Sequence, residues 1–193
     1  VVPRDFRLDG QDGIKDPVGM AGTRLEINAN VVSALSPYVV NIRKVADMAT
    51  VTPHDIVPSV LAAAKAILGE KQLESGVAII DLGGATTSVA VFEEGDLHYV
   101  GVVPLGGMHI TNDLAIGLKT SPETAEAVKV KQATAIVRSD KEGLSVKTGD
   151  EILTFGADEI DEIVEARLEE IFEGIEAELG KAGRAGKLPS GVV

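Results

Sequence analysis

The pattern of hydrophobic and polar positions in residues 1–57 predicts a small α+β module. Apolar and polar residues alternate from Leu25 onward, as in a strand with one buried face. Ser36 and Pro37 then provide a cap residue followed by proline at the first helical position. A short strand around residues 55–57 is expected to close the module. The helix has apolar spacings of three and four residues and is expected to bury the stripe Val39, Val40, Ile42, Arg43, Val45, Ala46 and Met48.

Residues 10–22 contain four glycines and one proline. A segment of this composition predicts a loop that is either a functional surface or a long connector.

A different pattern follows residue 57. Residues 58–68, rich in Ala, Val and Leu, predict an interior helix, and three apolar runs at 77–81, 88–92 and 97–103 predict strands in meander order. Residues 93–96 read Glu-Glu-Gly-Asp and predict the turn between the second and third strands. Helices are expected near 110–118 and 122–132, and Ser121 is the expected cap of the second.

The last third of the chain predicts two strand-like patches, around 136–137 and 144–146, followed by a long acidic helix. Between residues 158 and 178 ten acidic residues accompany a single Arg167. A solvated amphipathic face is the favoured interpretation of this charge run, and a partner surface is the alternative. The predicted buried face of the helix consists of Ile160, Ile163, Val164, Leu168, Ile171, Phe172, Ile175 and Leu179.

Composition narrows the possible functions. The 193 residues are 45% hydrophobic but only 3% aromatic, which suits one large or two small domains with aliphatic cores. A net charge of −12 disfavours binding to nucleic acid or anionic lipid through bulk charge. The absence of cysteine excludes disulfides and thiolate metal sites and fits a reducing compartment. No apolar run has the length of a membrane span, and no signal peptide is visible.

Residues 81–87, Asp-Leu-Gly-Gly-Ala-Thr-Thr, carry the strongest chemical signal. Glycines let backbone N–H groups approach an anion closely, and Thr86 and Thr87 add hydroxyl donors. Asp81 at the end of a strand is a natural holder of Mg²⁺ through its waters, since Mg²⁺ keeps much of its hydration shell. The alternative is an ordinary glycine-rich hairpin in which Asp81 bonds its own turn.

This motif resembles the second phosphate motif of the ATPases that include actin, heat-shock chaperones and sugar kinases. Over nearly its whole length the chain is similar to one family of that superfamily, FtsA, the bacterial actin-like cell-division proteins. The similarity rests on residues 9–20 with 24–26, on Gly106 and Gly107 leading into residues 110–118, and on residues 125–131. It implies an α/β (α+β) fold: an actin-like, ribonuclease-H-like ATPase lobe with a small SHS2 subdomain.

The resemblance also implies the domain boundaries. Residues 1–57 would form the small SHS2 (1C-like) subdomain, and 58–75 a helix returning to the first actin-like lobe. Residues 76–134 would form the 2A-like part of the second lobe, 135–180 the 2B-like part with the acidic helix, and 181–193 the start of a return to the second lobe. The chain is expected to lack the first phosphate loop, the adenine loop and the C-terminal membrane helix of the family.

The implied cofactors are ATP and Mg²⁺. Gly83, Gly84, Ala85 and Thr86 would bind phosphate, and Asp81 would position Mg²⁺ through water. Glu126 and Lys129 match the Glu-x-x-Lys pair that touches the nucleoside in the superfamily, and their spacing puts both on one helical face. The alternative for this pair is a surface ion pair.

Two departures from the family pattern bear on catalysis. The usual third glycine is Ala85, and the Asp that often follows the threonines is Ser88. Alanine makes a positive φ costlier, so we expect at most weak ATP hydrolysis and an inactive fragment.

The resemblance implies a cell-division scaffold that polymerises and tethers the division ring of the tubulin-like protein FtsZ to the inner membrane. The expected location is cytoplasmic and peripheral, on the inner face of the cell membrane. Expected partners are further copies of the protein, FtsZ, and other division proteins that meet the small subdomain, whose loop holds Lys15 and Asp16. The alternatives are a pilus-assembly ATPase of the same fold, a sugar-kinase-type phosphotransferase, and an interaction module that binds no nucleotide.

Overall fold

The computed structural model describes residues 1–136, 138, 143–148 and 151–193. Runs of strands and runs of helices follow one another along this chain, as expected for the mixed α/β (α+β) fold. The strands are β1 Val2–Leu8, β2 Gln11–Ile14, β3 Leu25–Asn30, β4 Val77–Leu82, β5 Thr87–Glu93, β6 Asp96–Val103, β7 Leu144–Thr148 and β8 Glu151–Phe155. The helices are α1 Ser36–Met48, α2 Ser59–Ile67, α3 Glu70–Ser75, α4 Gly107–Gly117, α5 Pro122–Gln132 and α6 Ala157–Lys181.

The chain divides into two compact units, and each unit is assembled from separate stretches of sequence. Unit 1 contains Val1–Ile79, Ala90–Val100 and Leu188–Val193. Unit 2 contains Ile80–Val89 and Gly101–Lys187.

Unit 1 holds a three-stranded antiparallel sheet in the order β2-β1-β3. Its apolar core lies elsewhere, where α2 packs on the first part of β4 and on the facing parts of β5 and β6. This core consists of Val60, Ala64, Leu68, Val77, Ile79, Ala90 and Leu97. The last residues of the chain extend this region, because Ala78 donates to Gly191 O at 3.0 Å and Val193 donates to Ala78 O at 2.9 Å.

Three expectations for unit 1 were wrong. Helix α1 forms as predicted, but it buries none of its residues, and Val45 and Met48 of the expected stripe are largely exposed. No strand forms at residues 55–57, where the chain is irregular. The expected loop at 10–22 includes strand β2, and Lys15 next to it forms an ion pair with Asp96.

The predicted meander is confirmed, since one sheet has the strand order β4-β5-β6. The two-residue turn between β5 and β6 consists of Glu94 and Gly95, with φ of 56° and 79°. Positive φ at both central positions is typical of the turn that matches the twist of a hairpin.

Unit 2 packs α4, α5, β7 and α6 around one core. The core residues are Ile110, Leu114, Ala125, Val128, Val146, Ile160 and Val164. Glycines allow close approach at two places around α6. Gly117 of α4 lies against the side chain of Ile163, and Gly174 of α6 lies against the side chain of Val103 at the end of β6.

The long helix α6 confirms the predicted amphipathic pattern with two corrections. Phe172, expected on the buried face, is 57% exposed. Two of the ten acids, Asp161 and Glu178, are buried instead of solvated, and they pair with Arg138 and Lys181. Of the two predicted strand-like patches, residues 144–146 lie in β7, while Val137 of the other lies outside the described residues.

Within the described ranges, none of the helices combines the length and the apolar composition needed to span a bilayer.

Candidate functional site

The turn between β4 and β5, residues 83–86, presents backbone donors to solvent. Its first amide closes the turn, because Gly83 N–H donates to Thr86 O at 2.9 Å. The amides of Gly84, Ala85 and Thr86 donate to no other described residue, and all three residues are exposed. Consecutive uncommitted N–H groups in a turn are able to bind an anion. Phosphate binding by Gly83, Gly84, Ala85 and Thr86 stays a prediction, and the Gly83 amide is committed to the turn itself.

The N-terminus of α4 holds the 83–86 turn in place. Gly107 N–H donates to Gly83 O at 2.9 Å, and Met108 N–H donates to Gly84 O at 2.8 Å. These bonds satisfy two of the N–H groups that the first turn of a helix leaves without a partner. The carbonyls of Gly83 and Gly84 are therefore committed to α4.

Gly106, just before α4, is required by the close approach of these two backbones. A Cβ atom on Gly106 would lie 2.7 Å from Gly84 O and closer still to Gly83 O. Such distances are far below van der Waals contact, so any side chain at this position would push the turn and the helix apart. The sequence singled out Gly106 only through its family resemblance.

The expectation that Ala85 is strained was wrong. None of Gly83, Gly84 and Ala85 has a φ in the left-handed region. Alanine therefore carries no conformational penalty at position 85, and the methyl group is exposed. At Gly83 the need for glycine is steric, because a Cβ atom there would lie 2.9 Å from Thr86 O.

Thr87 does not act with Thr86 as a surface donor, which corrects a second expectation. Its side chain is fully buried, and its hydroxyl donates to Leu105 O at 2.8 Å. This bond fixes the start of β5 to the segment that leads into α4.

Glu126 and Lys129 form the contact that their spacing predicted. Lys129 Nζ lies 2.6 Å from Glu126 Oε2, and the lysine side chain is 20% exposed whereas that of Glu126 is 50% exposed. Lys129 Nζ also donates to Gly107 O at 3.1 Å and to Thr111 Oγ1 at 2.8 Å. The pair is thus anchored to α4, unlike an isolated surface ion pair.

Thr111 is a member of this cluster that the sequence did not indicate as a site residue. It is 7% exposed, and its hydroxyl donates to Glu126 Oε2 at 2.5 Å. The hydrogen bonds from Lys129 and then Thr111 lower the pKa of Glu126. The only available signal was its position four residues after Gly107, which places it one helical turn into α4.

Gly107 connects the two predicted parts of the site within unit 2. Its carbonyl accepts from Lys129, and its N–H donates to Gly83 of the turn. Asp81 lies at the end of β4, two residues before Gly83, and is partly buried. Among the described residues no group of three His, Asp or Glu side chains comes together as a metal-binding cluster.

Comparison with solved structures shows the fold class of the chain. MreB 5 of Spiroplasma citri bound to AMPPNP aligns with a TM-score of 0.61 and 14% identity, over 91% of this chain and 70% of that protein. The MamK double helical filament aligns with a TM-score of 0.57 and 12% identity, over 80% of this chain and 49% of MamK. The chain therefore has the fold of the actin-like ATPases.

Sequence comparison identifies the family. The family profile described as "Cell division protein FtsA" matches residues 78–188, and the profile "SHS2 domain inserted in FTSA" matches residues 1–33. The chain belongs to the FtsA family of cell-division proteins, as its motifs predicted.

Individual relatives agree with this assignment. The cell division protein FtsA of Bacillus subtilis is 38% identical over 197 residues, covering 100% of this chain and 44% of that protein. FtsA of Pseudomonas aeruginosa is 34% identical over 194 residues, covering 98% of this chain and 46% of that protein. The chain thus spans less than half the length of these two relatives.

Proposed function

We propose that the full-length protein containing this chain is an ATP-binding, actin-like scaffold of cell division that polymerises. The observation that carries the proposal is the 83–86 turn, whose three consecutive amides are exposed and donate to no other described residue. A triphosphate supplies the negative oxygens to which the amides of such a turn can donate hydrogen bonds. The crystal structure of MreB 5 with bound AMPPNP supports the same assignment by analogy of fold.

In this proposal Gly84, Ala85 and Thr86 bind phosphate oxygens through their amides, and Gly83 closes the turn. Glu126 and Lys129 face the nucleoside. Asp81 holds Mg²⁺ through water, and this role fits the local chemistry, because protein sites for Mg²⁺ commonly use one or two carboxylates together with phosphates. When bound, Mg²⁺ would neutralise phosphate charge.

Hydrolysis is proposed to be weak at most, because Ser88 stands where the family pattern often has Asp. The unstrained backbone at Ala85 removes conformational strain as the reason for slow turnover. No described residue of this chain is assigned as a catalytic group, and ATP would act through binding. A nucleotide that binds the assembled form more tightly shifts the population toward it.

The remaining parts of the proposal rest on family membership. The scaffold would tether FtsZ to the inner face of the cell membrane, and it would contact the membrane through a C-terminal helix that is not in this chain. Residues 1–57 would form the small subdomain and meet a neighbouring protomer or other division proteins. The double helical filament of MamK supports self-association of this fold.

Calorimetric titration of Mg-ATP into the full-length protein tests the nucleotide role. We expect binding in the parent and an affinity about 10–100-fold lower in Asp81→Asn, the range found for groups that act on a metal indirectly. Asp47→Asn on the exposed helix α1 is the matched control and should bind like the parent. Absence of binding in the parent would reject the proposal, and equal affinities in the parent and Asp81→Asn would reject the metal role of Asp81.

Sedimentation of the full-length protein with anionic lipid vesicles tests the scaffold role. Filaments that pellet with vesicles and recruit FtsZ in the presence of ATP are the expected result. A protein that binds ATP but neither assembles nor pellets would contradict the scaffold function and leave nucleotide binding intact.

A further inference from the structure

Lys129 has no N–H group left for a ligand. An ammonium group has three donors, and Lys129 Nζ has three acceptors: Glu126 Oε2 at 2.6 Å, Thr111 Oγ1 at 2.8 Å and Gly107 O at 3.1 Å. The lysine side chain is also largely buried. Direct contact between Lys129 and a nucleoside would require one of these bonds to break.

Glu126 is in the opposite situation. All of its contacts use Oε2, which accepts from Thr111 and pairs with Lys129, while Oε1 has no hydrogen-bond partner among the described residues. Its side chain is half exposed. A carboxylate oxygen accepts hydrogen bonds, and the hydroxyl groups of a ribose donate them.

Thr111 holds this arrangement together. Its buried hydroxyl donates to Glu126 Oε2 and accepts from Lys129 Nζ, so it contacts both members of the ion pair. It lies one turn into α4, the helix whose first amides support the 83–86 turn. The position of Glu126 relative to this turn therefore depends on the Thr111 hydroxyl.

We propose that Thr111 is a positioning residue for nucleoside recognition: with Lys129 it fixes Glu126 so that Oε1 accepts from a ribose hydroxyl, while Lys129 stays bound to α4. The inference rests on the proposed ATP binding. It divides the predicted Glu126–Lys129 pair into one direct ligand and one supporting residue.

The test compares Thr111→Val, which removes the hydroxyl with little change of shape, with Thr111→Ser, which keeps it. Calorimetry on the full-length protein measures the affinities of ATP, 2′-deoxy-ATP, 3′-deoxy-ATP and inorganic triphosphate. Thermal unfolding and circular dichroism check that both variants fold.

In the parent, we expect ATP to bind about tenfold or more tightly than at least one deoxy analogue, because hydrogen bonds to charged groups are strong. In Thr111→Val this preference should fall to about twofold or less, with an ATP affinity roughly fivefold to tenfold lower, as expected for the loss of one positioning hydrogen bond. Inorganic triphosphate should bind the parent and the variant alike, and Thr111→Ser should restore the preference for ATP.

Three results would overturn the inference. An unchanged preference for ATP in Thr111→Val would show that the hydroxyl does not position Glu126. Equal losses in Thr111→Val and Thr111→Ser would show that Thr111 acts through packing. A parent that prefers ATP over neither deoxy analogue would remove the ribose contact, and a parent that binds no ATP would reject the proposed function itself.

Discussion

Replacement of Gly106 by alanine should detach the 83–86 turn from the N-terminus of α4. The new Cβ atom would lie 2.7 Å from Gly84 O, 2.9 Å from Gly84 C and closer still to Gly83 O. All three atoms belong to the backbone, so no side-chain rotation can relieve the overlap. The turn must move away, and the bonds from Gly107 N–H and Met108 N–H, now 2.9 and 2.8 Å long, must lengthen or break.

The expected cost has two parts. Inserting a methyl group into a tightly packed position typically costs about 1–3 kcal/mol. Each backbone hydrogen bond that is lost adds about 0.5–1.5 kcal/mol. Because the movement that relieves the overlap also breaks the bonds, the two parts overlap, and we expect a local destabilisation of about 2–5 kcal/mol.

Hydrogen exchange measured on the full-length protein is the suitable assay, since it reports the opening of individual segments when unfolding is not two-state. The amides of Gly107 and Met108 should exchange more than about tenfold faster in Gly106→Ala than in the parent. The matched control is Gly180→Ala in α6, where an added Cβ atom meets nothing within 4 Å. That control should stabilise the helix by about 0.5–1 kcal/mol.

Exchange in Gly106→Ala that matches the parent at both amides would refute the reasoning, because it would mean that the turn and α4 are not in close contact. Faster exchange throughout unit 2 in both variants would point to a general sensitivity to substitution, and the steric argument would fail.

Two other predictions follow from contacts of single residues. Gly174→Ala should destabilise the protein by about 1–3 kcal/mol, since the added methyl group would lie 2.6 Å from Cγ1 of Val103, a stiff β-branched side chain. Urea denaturation measures this loss, and an unchanged unfolding midpoint would contradict the prediction. Hydrogen bonds from Lys129 and then from Thr111 lower the pKa of Glu126. The stabilisation from its carboxylate is therefore complete above the ordinary value of 4.5, and it is lost as the pH falls through the lower folded-state pKa. The difference in unfolding free energy between the parent and Glu126→Gln should therefore shrink as the pH falls from the ordinary value of 4.5 through the lower folded-state pKa, and a difference that grows toward low pH would contradict the assigned shift.

The elements of the fold that depend on local sequence were predictable. The proline after Ser121 and the hydroxyl of Ser121 fix the start of α5, and Ser121 Oγ accepts from Thr124 N at 3.3 Å. The turn at Glu94 and Gly95 follows from the tolerance of glycine for positive φ. Glu126 and Lys129 were predicted to share a face, because a spacing of three residues in a helix brings side chains together.

What depends on neighbours distant in sequence was not predictable. The apolar stripe of α1 indicated burial, yet nothing in the helix itself says whether another element covers it. Asp161 looks like a solvated acid in the sequence, and its burial depends on Arg138, a partner 23 residues away. The role of Thr111 was not predicted because it depends on contacts with α5, a helix that begins eleven residues later.

The backbone argument about Ala85 failed for a related reason. The glycines suggested a turn with positive φ, but the restriction at Gly83 comes from Thr86 O, and the restriction at Gly106 comes from the approach of α4 to the turn carbonyls. A sequence shows that a small residue is present, and only the packed structure shows which contact requires it.

The division of the chain into interleaved stretches has a consequence for the order in which the protein folds on the ribosome. Unit 1 starts at Val1, but its last stretch is Leu188–Val193, which pairs with Ala78 of β4. Unit 2 ends at Lys187. Domains tend to fold as units while synthesis proceeds from the N-terminus. Residues 188–193 reach β4 only after all of unit 2 has been synthesised, so the bridge between Ala78 and Val192 cannot form before then.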